Sequence, residues 1–320
     1  MIKIFIAISF LFYSVFVMAF PKIIAHRGGT ADAPENTEIA IKTALSNQAD
    51  AIWITVQLSK DNVPVLYRPS DLKSLTNGQG AISTFTAKEL AQWDAGYKYG
   101  EAQQFPYRNK GVTIPTLEYI LTQFPKTQFY IDLKSPDADP VIQGKALASV
   151  LSKHNALERT RVYSTNSAFL DALPDNVQRF ESRDVTRDIL ANITMGHICL
   201  LPENLDITRW YGLELHRKVE VVEKYTLGEA RSAAVLSWDK DAMSCFRAGG
   251  NAHIVLFGIN TEKDYLQAVE DAMSCFRAGG NAHIVLFGIN TEKDYLQAVE
   301  LGADAVMVDS PAKIKAFRKE

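Results

Sequence analysis

Short apolar runs rich in β-branched residues alternate along this chain with stretches whose apolar positions recur every three or four residues. The first pattern is that of buried strands, the second that of amphipathic helices. Strands are predicted at 22–26, 51–58, 128–133, 161–164, 177–181, 210–216, 253–259 or 283–289, and 304–308. After Pro34, the residues Ile41, Ala44 and Leu45 share one helical face, as Leu147, Val150 and Leu151 do later. The stretch SKDNVPVLYRP predicts a short hairpin-like excursion behind the second strand. Alternating strand and helix signals imply a parallel sheet. Eight such strands predict an α/β fold of the (β/α)8 TIM-barrel type, with its chemistry at the C-terminal strand ends.

One segment disturbs that count. DAMSCFRAGGNAHIVLFGINTEKDYLQAVE stands at 241–270 and again, unchanged, at 271–300. Perfect identity marks a recent duplication or an artefact of sequence assembly, not a solenoid, which needs at least three units. This tandem 30-residue duplication is expected to add one extra βα-like unit. Tyr265, Val269, Ala272, Met273 and Phe276 keep helical spacing across the junction, which predicts one fused helix from about 262 to 278. The second copy meets a helix stop at Gly302 and a short link to the last strand. Its run 283–289 is therefore expected to fill the barrel, with 253–259 displaced.

The N-terminus, MIKIFIAISFLFYSVFVMAF, carries Lys3 as its single charge and ends in Val17-Met18-Ala19, a small-residue cleavage pattern. Residues 1–19 are expected to be a signal peptide, although the apolar run is also close to membrane-spanning length. Cleavage would leave one domain, 20–320, periplasmic or secreted, with no stable membrane span. Without the leader and one copy, roughly 270 residues remain, a usual size for a single barrel. A formal charge of −3 gives no basis for a nucleic-acid partner. An oxidising compartment permits disulfides; Cys199 pairs either with Cys245 or with Cys275, or all three stay reduced.

Candidate chemistry gathers at the strand ends. IIAHRGGTADAPENTEIAI delivers His26 and Arg27 out of the first strand into a glycine turn. Asp132 and Lys134, two apart in FYIDLKS, share one face, as do Glu214 and His216 in YGLELHR. Asp309 closes the last strand. A lone charge at a strand end is ordinarily a solvated loop residue; several on one rim are not. LTNGQG (75–80) is glycine-rich but lacks the lysine of a phosphate-binding P-loop.

AHRGGTADAPENTEIAI resembles the opening of the glycerophosphodiester phosphodiesterase family, with His-Arg-Gly followed by Pro-Glu-Asn-Thr. ADAIWITVQLSKDNVPVLYRPSDLKSLTNGQG, VTIPTLEYIL, YIDLK and GINTEKDYLQAVELGADAVMVDSP follow further family blocks in order. The resemblance covers roughly 22–134 and 283–312. It implies a metal-dependent barrel that cleaves small glycerophosphodiesters or related phospholipid head groups to an alcohol and glycerol 3-phosphate, a role in lipid metabolism. The family's divalent cation, Ca²⁺ or Mg²⁺, is held by a Glu-x-Asp pair; Trp53 and Thr55 stand in its place. Arg68 and Pro69 replace the family's second catalytic histidine and its aspartate. The remaining candidate metal ligands are Asp132, which is shorter than the usual glutamate, and Glu35. Hard cations need several oxygen ligands, so the metal is in doubt.

Two expectations follow. In the first, the chain is a hydrolase: His26 is base or nucleophile, Arg27, Arg68 and Lys134 grip the phosphate, and His216, beside Glu214, protonates the leaving alcohol. Asn36 and Trp53 complete the rim. Trp53 is also readable as plain core, the commoner role of a tryptophan inside a strand, and His216 equally as a partly buried structural histidine. In the second, the barrel is a pseudoenzyme that binds a phosphate ester without cleaving it.

Overall fold

Every position of AIWITVQL, residues 51–58, is buried, because the strand has a packed layer on both faces. The computed structural model describes residues 20–202, 208–214, 217–248, 251–257, 282–300 and 302–318. Its strands are β1 (Lys22–His26), β2 (Ala51–Leu58), β3 (Pro64–Leu66), β4 (Gln128–Leu133), β5 (Thr160–Ser164) and β6 (Arg209–Glu214). They continue with β7 (Arg217–Tyr225), β8 (Gly228–Leu236), β9 (Ala252–Phe257), β10 (His283–Phe287) and β11 (Ala305–Val308). The helices are α1 (Glu38–Ser46), α2 (Ala87–Leu90), α3 (Leu117–Gln123), α4 (Pro140–Lys153) and α5 (Ser167–Asp171). Four more follow: α6 (Arg183–Gly196), α7 (Lys240–Ala248), α8 (Glu292–Glu300) and α9 (Pro311–Phe317).

Parallel strands run in the order β5-β4-β2-β1-β11-β10-β9-β6, and β3 lies antiparallel on β2 as the predicted excursion. The segment predicted as a strand at 177–181 spans the gap between the edge strands. Val162 N donates to Gln178 O (2.9 Å), Phe180 N to Val162 O (2.8 Å) and Glu181 N to Trp210 O (2.7 Å). The curled sheet is TIM-barrel-like. Inside it, Trp53, Tyr130, Tyr163, Phe180 and Trp210 interlock; outside, Ile23, Ile52, Ile54 and Phe129 face helical residues such as Ile41, Leu147 and Leu151. A third small core, with Val65, Tyr67, Leu72, Ile82, Leu90 and Ile114, organises the long excursion behind β3.

The duplicated segment departs from expectation. Neither copy of HIVLF is displaced: β9 and β10 lie side by side between β6 and β11, in like-on-like register from His283↔His253 to Leu286↔Leu256. Ile254 and Leu256 join the outer core and Val255 the inner one, as do Ile284, Leu286 and Val285. Expelling either strand would return three aliphatic side chains and a ladder of backbone hydrogen bonds to water.

Cys199 is joined to Cys245, with Cα atoms 5.5 Å apart, tying the segment after α6 to α7. The β7–β8 ribbon, which sequence reading did not anticipate, pairs with itself outside the main sheet. The expected signal peptide, the fused helix at 262–278, Cys275 and His216 lie outside the described residues. No helix among the described residues is long and apolar enough to cross a membrane.

Candidate active site

β1 ends on His26, and the chain turns at once through left-handed Arg27 (φ 50°), Gly28 (φ 84°) and Gly29 (φ 97°). At Gly28 a Cβ would approach that of Ala40 to 3.0 Å, so the turn sits directly on α1. His26 Nδ1 lies 2.7 Å from Asp309 Oδ1, just past β11. Thr30 Oγ1 donates to the same oxygen (2.9 Å) and Asn290 Nδ2 to Oδ2 (3.0 Å). Burial pushes the Asp309 carboxyl up, but the hydrogen bonds from His26, Thr30 and Asn290 and the His26 charge outweigh it and hold it below the usual range. An ionised carboxylate only accepts, so Nδ1 carries a proton, and in the neutral form of the ring the lone pair lies on Nε2.

The cavity that His26 borders, about 210 Å³, is lined by two chemically distinct sets of side chains. Arg27, Arg68, Lys134 and Arg183 are the cationic set, with Asp132 as its carboxylate; Trp53, Tyr163, Phe257, Phe287 and Met307 are the aromatic and apolar set. Burial pushes Asp132 up to about 6, against the pull of Lys134, Arg68, Arg183 and Arg27. Burial pulls Lys134 down, opposed by Asp132. The Lys134 ammonium is 3.7 Å from Asp132 Oδ1 and donates to Thr165 Oγ1 at 2.9 Å. Arg27 pairs with Glu35 at 2.7 Å. Arg183 Nε donates to the Tyr163 hydroxyl (2.9 Å) and its Nη1 to Glu214 Oε1 (2.5 Å). Exposed Arg68 has no side-chain hydrogen bond or ion pair among the described residues.

Of the residues singled out from sequence, His26, Arg27, Arg68, Asp132 and Lys134 meet in this cavity. Asp309 holds His26 from behind. Asn36, expected on the rim, is instead a buried clamp: its Oδ1 accepts from Thr55 N at 2.8 Å and its own N donates to Arg27 O. Trp53 belongs to the aromatic interior, 5.4 Å from the Tyr163 ring, and forms part of the cavity floor. Glu214 is a rim residue, and its two oxygens are held by Arg183 and Arg187. In the LTNGQG turn, Gly80 N donates to Asp71 and the Thr76 hydroxyl to Leu72 O, so its polar groups serve the excursion. Sequence reading missed Arg183 and Arg187, whose charges at the start of a helix carry no local signal of a site.

As cation ligands the site offers little. Glu35 Oε1 and Asp132 Oδ1 are buried without hydrogen-bond partners. Among the described residues no three His, Cys, Asp or Glu side chains cluster so as to hold a metal. A larger groove of about 780 Å³, bordered by Glu38, Lys42, Tyr107 and Tyr119, shares no residue with the His26 cavity.

Residues 26–173 match the model of the glycerophosphoryl diester phosphodiesterase family. Uncharacterized protein Rv2277c of Mycobacterium tuberculosis is 37% identical over 304 residues, covering 93% of this chain and 90% of that one. The crystal structure of its glycerophosphoryl diester phosphodiesterase domain superposes with a TM-score of 0.69 at 36% identity, covering 94% of this chain and all of that one. A Bacillus subtilis glycerophosphodiester phosphodiesterase is 36% identical over 139 residues, 42% of this chain and 46% of its own. An Oleispira antarctica phosphodiesterase, solved with its product sn-glycerol-3-phosphate, shares the fold (TM-score 0.59, 23% identity, 94% and 98% coverage). With the site's His-Arg pair at the head of the matched stretch, the chain belongs to the glycerophosphodiester phosphodiesterase family, whose members are phosphoric diester hydrolases.

Proposed function

We propose that this chain hydrolyses glycerophosphodiesters with fixed cations in place of the family's divalent ion. One observation carries the reading: an oriented His26 and four cationic side chains converge on a single small cavity. His26 Nε2 takes the proton from the attacking oxygen while Asp309 holds the ring and balances the charge it gains. Arg27, Arg68, Lys134 and Arg183 surround the phosphate and neutralise the charge that builds on its oxygens. Arg68 cannot donate the proton that the departing alcohol needs, because its guanidinium stays charged; that role is assigned to His216. Water adds across the P–O bond, giving glycerol 3-phosphate and the free alcohol, a reaction of phospholipid head-group turnover.

The donor set argues against a hard divalent cation. Glu35 is committed to Arg27, and an ion beside Asp132 would share its surroundings with four cations. The apolar leader and the Cys199–Cys245 bond support an exported, oxidising location for the mature chain.

Purified protein is assayed for glycerol 3-phosphate release from glycerophosphodiesters, and with bis(p-nitrophenyl) phosphate, in EDTA and then in Ca²⁺ or Mg²⁺. Turnover indifferent to EDTA is expected. Metal-stimulated turnover would refute the cation-substituted mechanism. Binding without cleavage by folded protein would favour the pseudoenzyme.

A further inference from the structure

Arg183 reaches the cavity from the first turn of α6, across the gap between the sheet's edge strands β5 and β6. Two contacts fix its guanidinium there. Nε donates to the hydroxyl of buried Tyr163 on β5 (2.9 Å), and Nη1 donates to Glu214 Oε1 on β6 (2.5 Å). Its Nη2 has no hydrogen-bond partner among the described residues.

Glu214 is held in turn. Arg187, one turn further along α6, donates to Glu214 Oε2 through Nε (3.2 Å) and Nη2 (3.0 Å). The start of the helix is itself pinned to β6: Glu181 N donates to Trp210 O, and Arg209 pairs with Glu181 at 2.5 Å. Neither Glu214 nor Arg187 lines the cavity, so each can act on a bound phosphate only through Arg183 or through its own charge.

For Glu214 these two routes have opposite signs. It is an anion close to an anion site, so its field alone opposes phosphate binding. Among the described residues, each of the other carboxylates at the cavity has one basic partner: Glu35 has Arg27, Asp132 has Lys134 and Asp309 has His26. Glu214 has two, at i and i+4 of one helix, where like charges without a carboxylate between them repel. An arginine with Nε and Nη1 both engaged has already given up the freedom of its long side chain when the ligand arrives.

Resting on the hydrolase reading, we propose that Glu214 and Arg187 are positioning residues that hold the Arg183 guanidinium ready for the phosphate of the transition state, a benefit that exceeds the repulsion Glu214 exerts on the anion.

The test is Glu214→Gln, made in the wild-type chain and in Arg183→Met, with kcat and KM for a glycerophosphodiester and a thermal melt for each protein. The amide keeps the shape of the side chain but loses the charge-assisted bond to Arg183. Charge alone predicts a faster enzyme with a lower KM. Positioning predicts a kcat lower by about tenfold, with no further loss in the Arg183→Met background. Arg187→Met should lower kcat by about threefold, and Arg187→Lys, which keeps the charge and a donor, by less. An unchanged or raised kcat in folded Glu214→Gln would overturn the proposal. So would an equal loss in both backgrounds, the mark of a merely structural role. Should the wild-type chain cleave no diester, the hydrolase reading fails, and calorimetry with glycerol 3-phosphate decides the positioning. Weaker binding by Glu214→Gln in the wild-type background alone upholds it; equal or tighter binding, or none by the wild type, sinks it.

Discussion

Replacing Asp309 by Asn tests whether His26 is a base held in one tautomer. The change keeps the shape of the side chain but removes its charge and one acceptor. With the amide oxygen toward His26 Nδ1, the amide NH2 would face Asn290 Nδ2, now 3.0 Å from Oδ2, donor against donor. With the amide reversed, its NH2 would face Nδ1, the proton would move to Nε2, and the lone pair needed by the reaction would be lost. A hydrogen bond to a charged partner contributes about 1.5–3 kcal/mol. At about 1.4 kcal/mol per decade, its loss in the transition state lowers kcat by roughly ten- to 150-fold. The Asp309 side chain is 35% exposed, which favours the lower half of that range. KM should move little, because no phosphate-binding cation is touched. Steady-state kinetics across pH, with thermal melts to confirm folding, make the measurement. Wild-type kcat in a folded Asp309→Asn enzyme would refute the tautomer argument, and a change confined to KM would turn Asp309 into a binding residue.

Three further outcomes are expected. His253 stacks on Trp210 at 3.8 Å and beside His283 at 4.6 Å, and burial, His283 and Arg161 push it down to about 4. The unfolded chain then binds this proton first, so stability is full above about 6.5 and falls as pH drops toward 4, by ~1–2 kcal/mol once screening at this half-buried ring is allowed for. His253→Phe should flatten that slope in melts from pH 7 to 4, and an unchanged slope would contradict it. Cys199→Ser opens a 46-residue separation and should cost ~4 kcal/mol on loop entropy, read as a lower melting temperature that reductant does not lower further. Deleting 241–270 leaves an intact copy in its place, so the shorter chain should fold with Cys199 bonded to Cys275, shown by circular dichroism and mass spectrometry; an unfolded product would mean that β9 is indispensable.

Much of the site was legible because barrel strands impose a period of two. Asp132 near the end of β4 and Lys134 just past it share one face, and His26 ends β1 with Arg27 in the glycine turn that follows; both are readable from spacing alone. Arg183 was not readable that way. It opens α6 in the run RDVTRDIL, whose charges look like a solvated face, and only the path of 178–181 between β5 and β6 brings that helix start to the cavity. The partners of Glu214 were not readable that way either. Its charge partners arrive from 27 and 31 residues away, and a carboxylate on a strand end binds whichever cation tertiary structure brings closest.

The duplicated segment marks where local reasoning stopped. Connection lengths suggested that a barrel admits one HIVLF strand, so the other was expected outside. The sheet instead takes both, because identical sequences make identical side-chain layers: Ile254 on Ile284, Val255 on Val285, Leu256 on Leu286. A strand pairing with its own copy in register meets no mismatch in face, volume or hydrogen-bond phase, whereas closing an eight-membered ring around a displaced twin leaves that twin's apolar face exposed. The same symmetry carries into the chemistry. Each of the paired strands ends on a phenylalanine that reaches the cavity, so the extra strand adds a second ring to the cavity lining near His26. An insertion that sequence reading placed outside the barrel thus bears directly on what the pocket can hold.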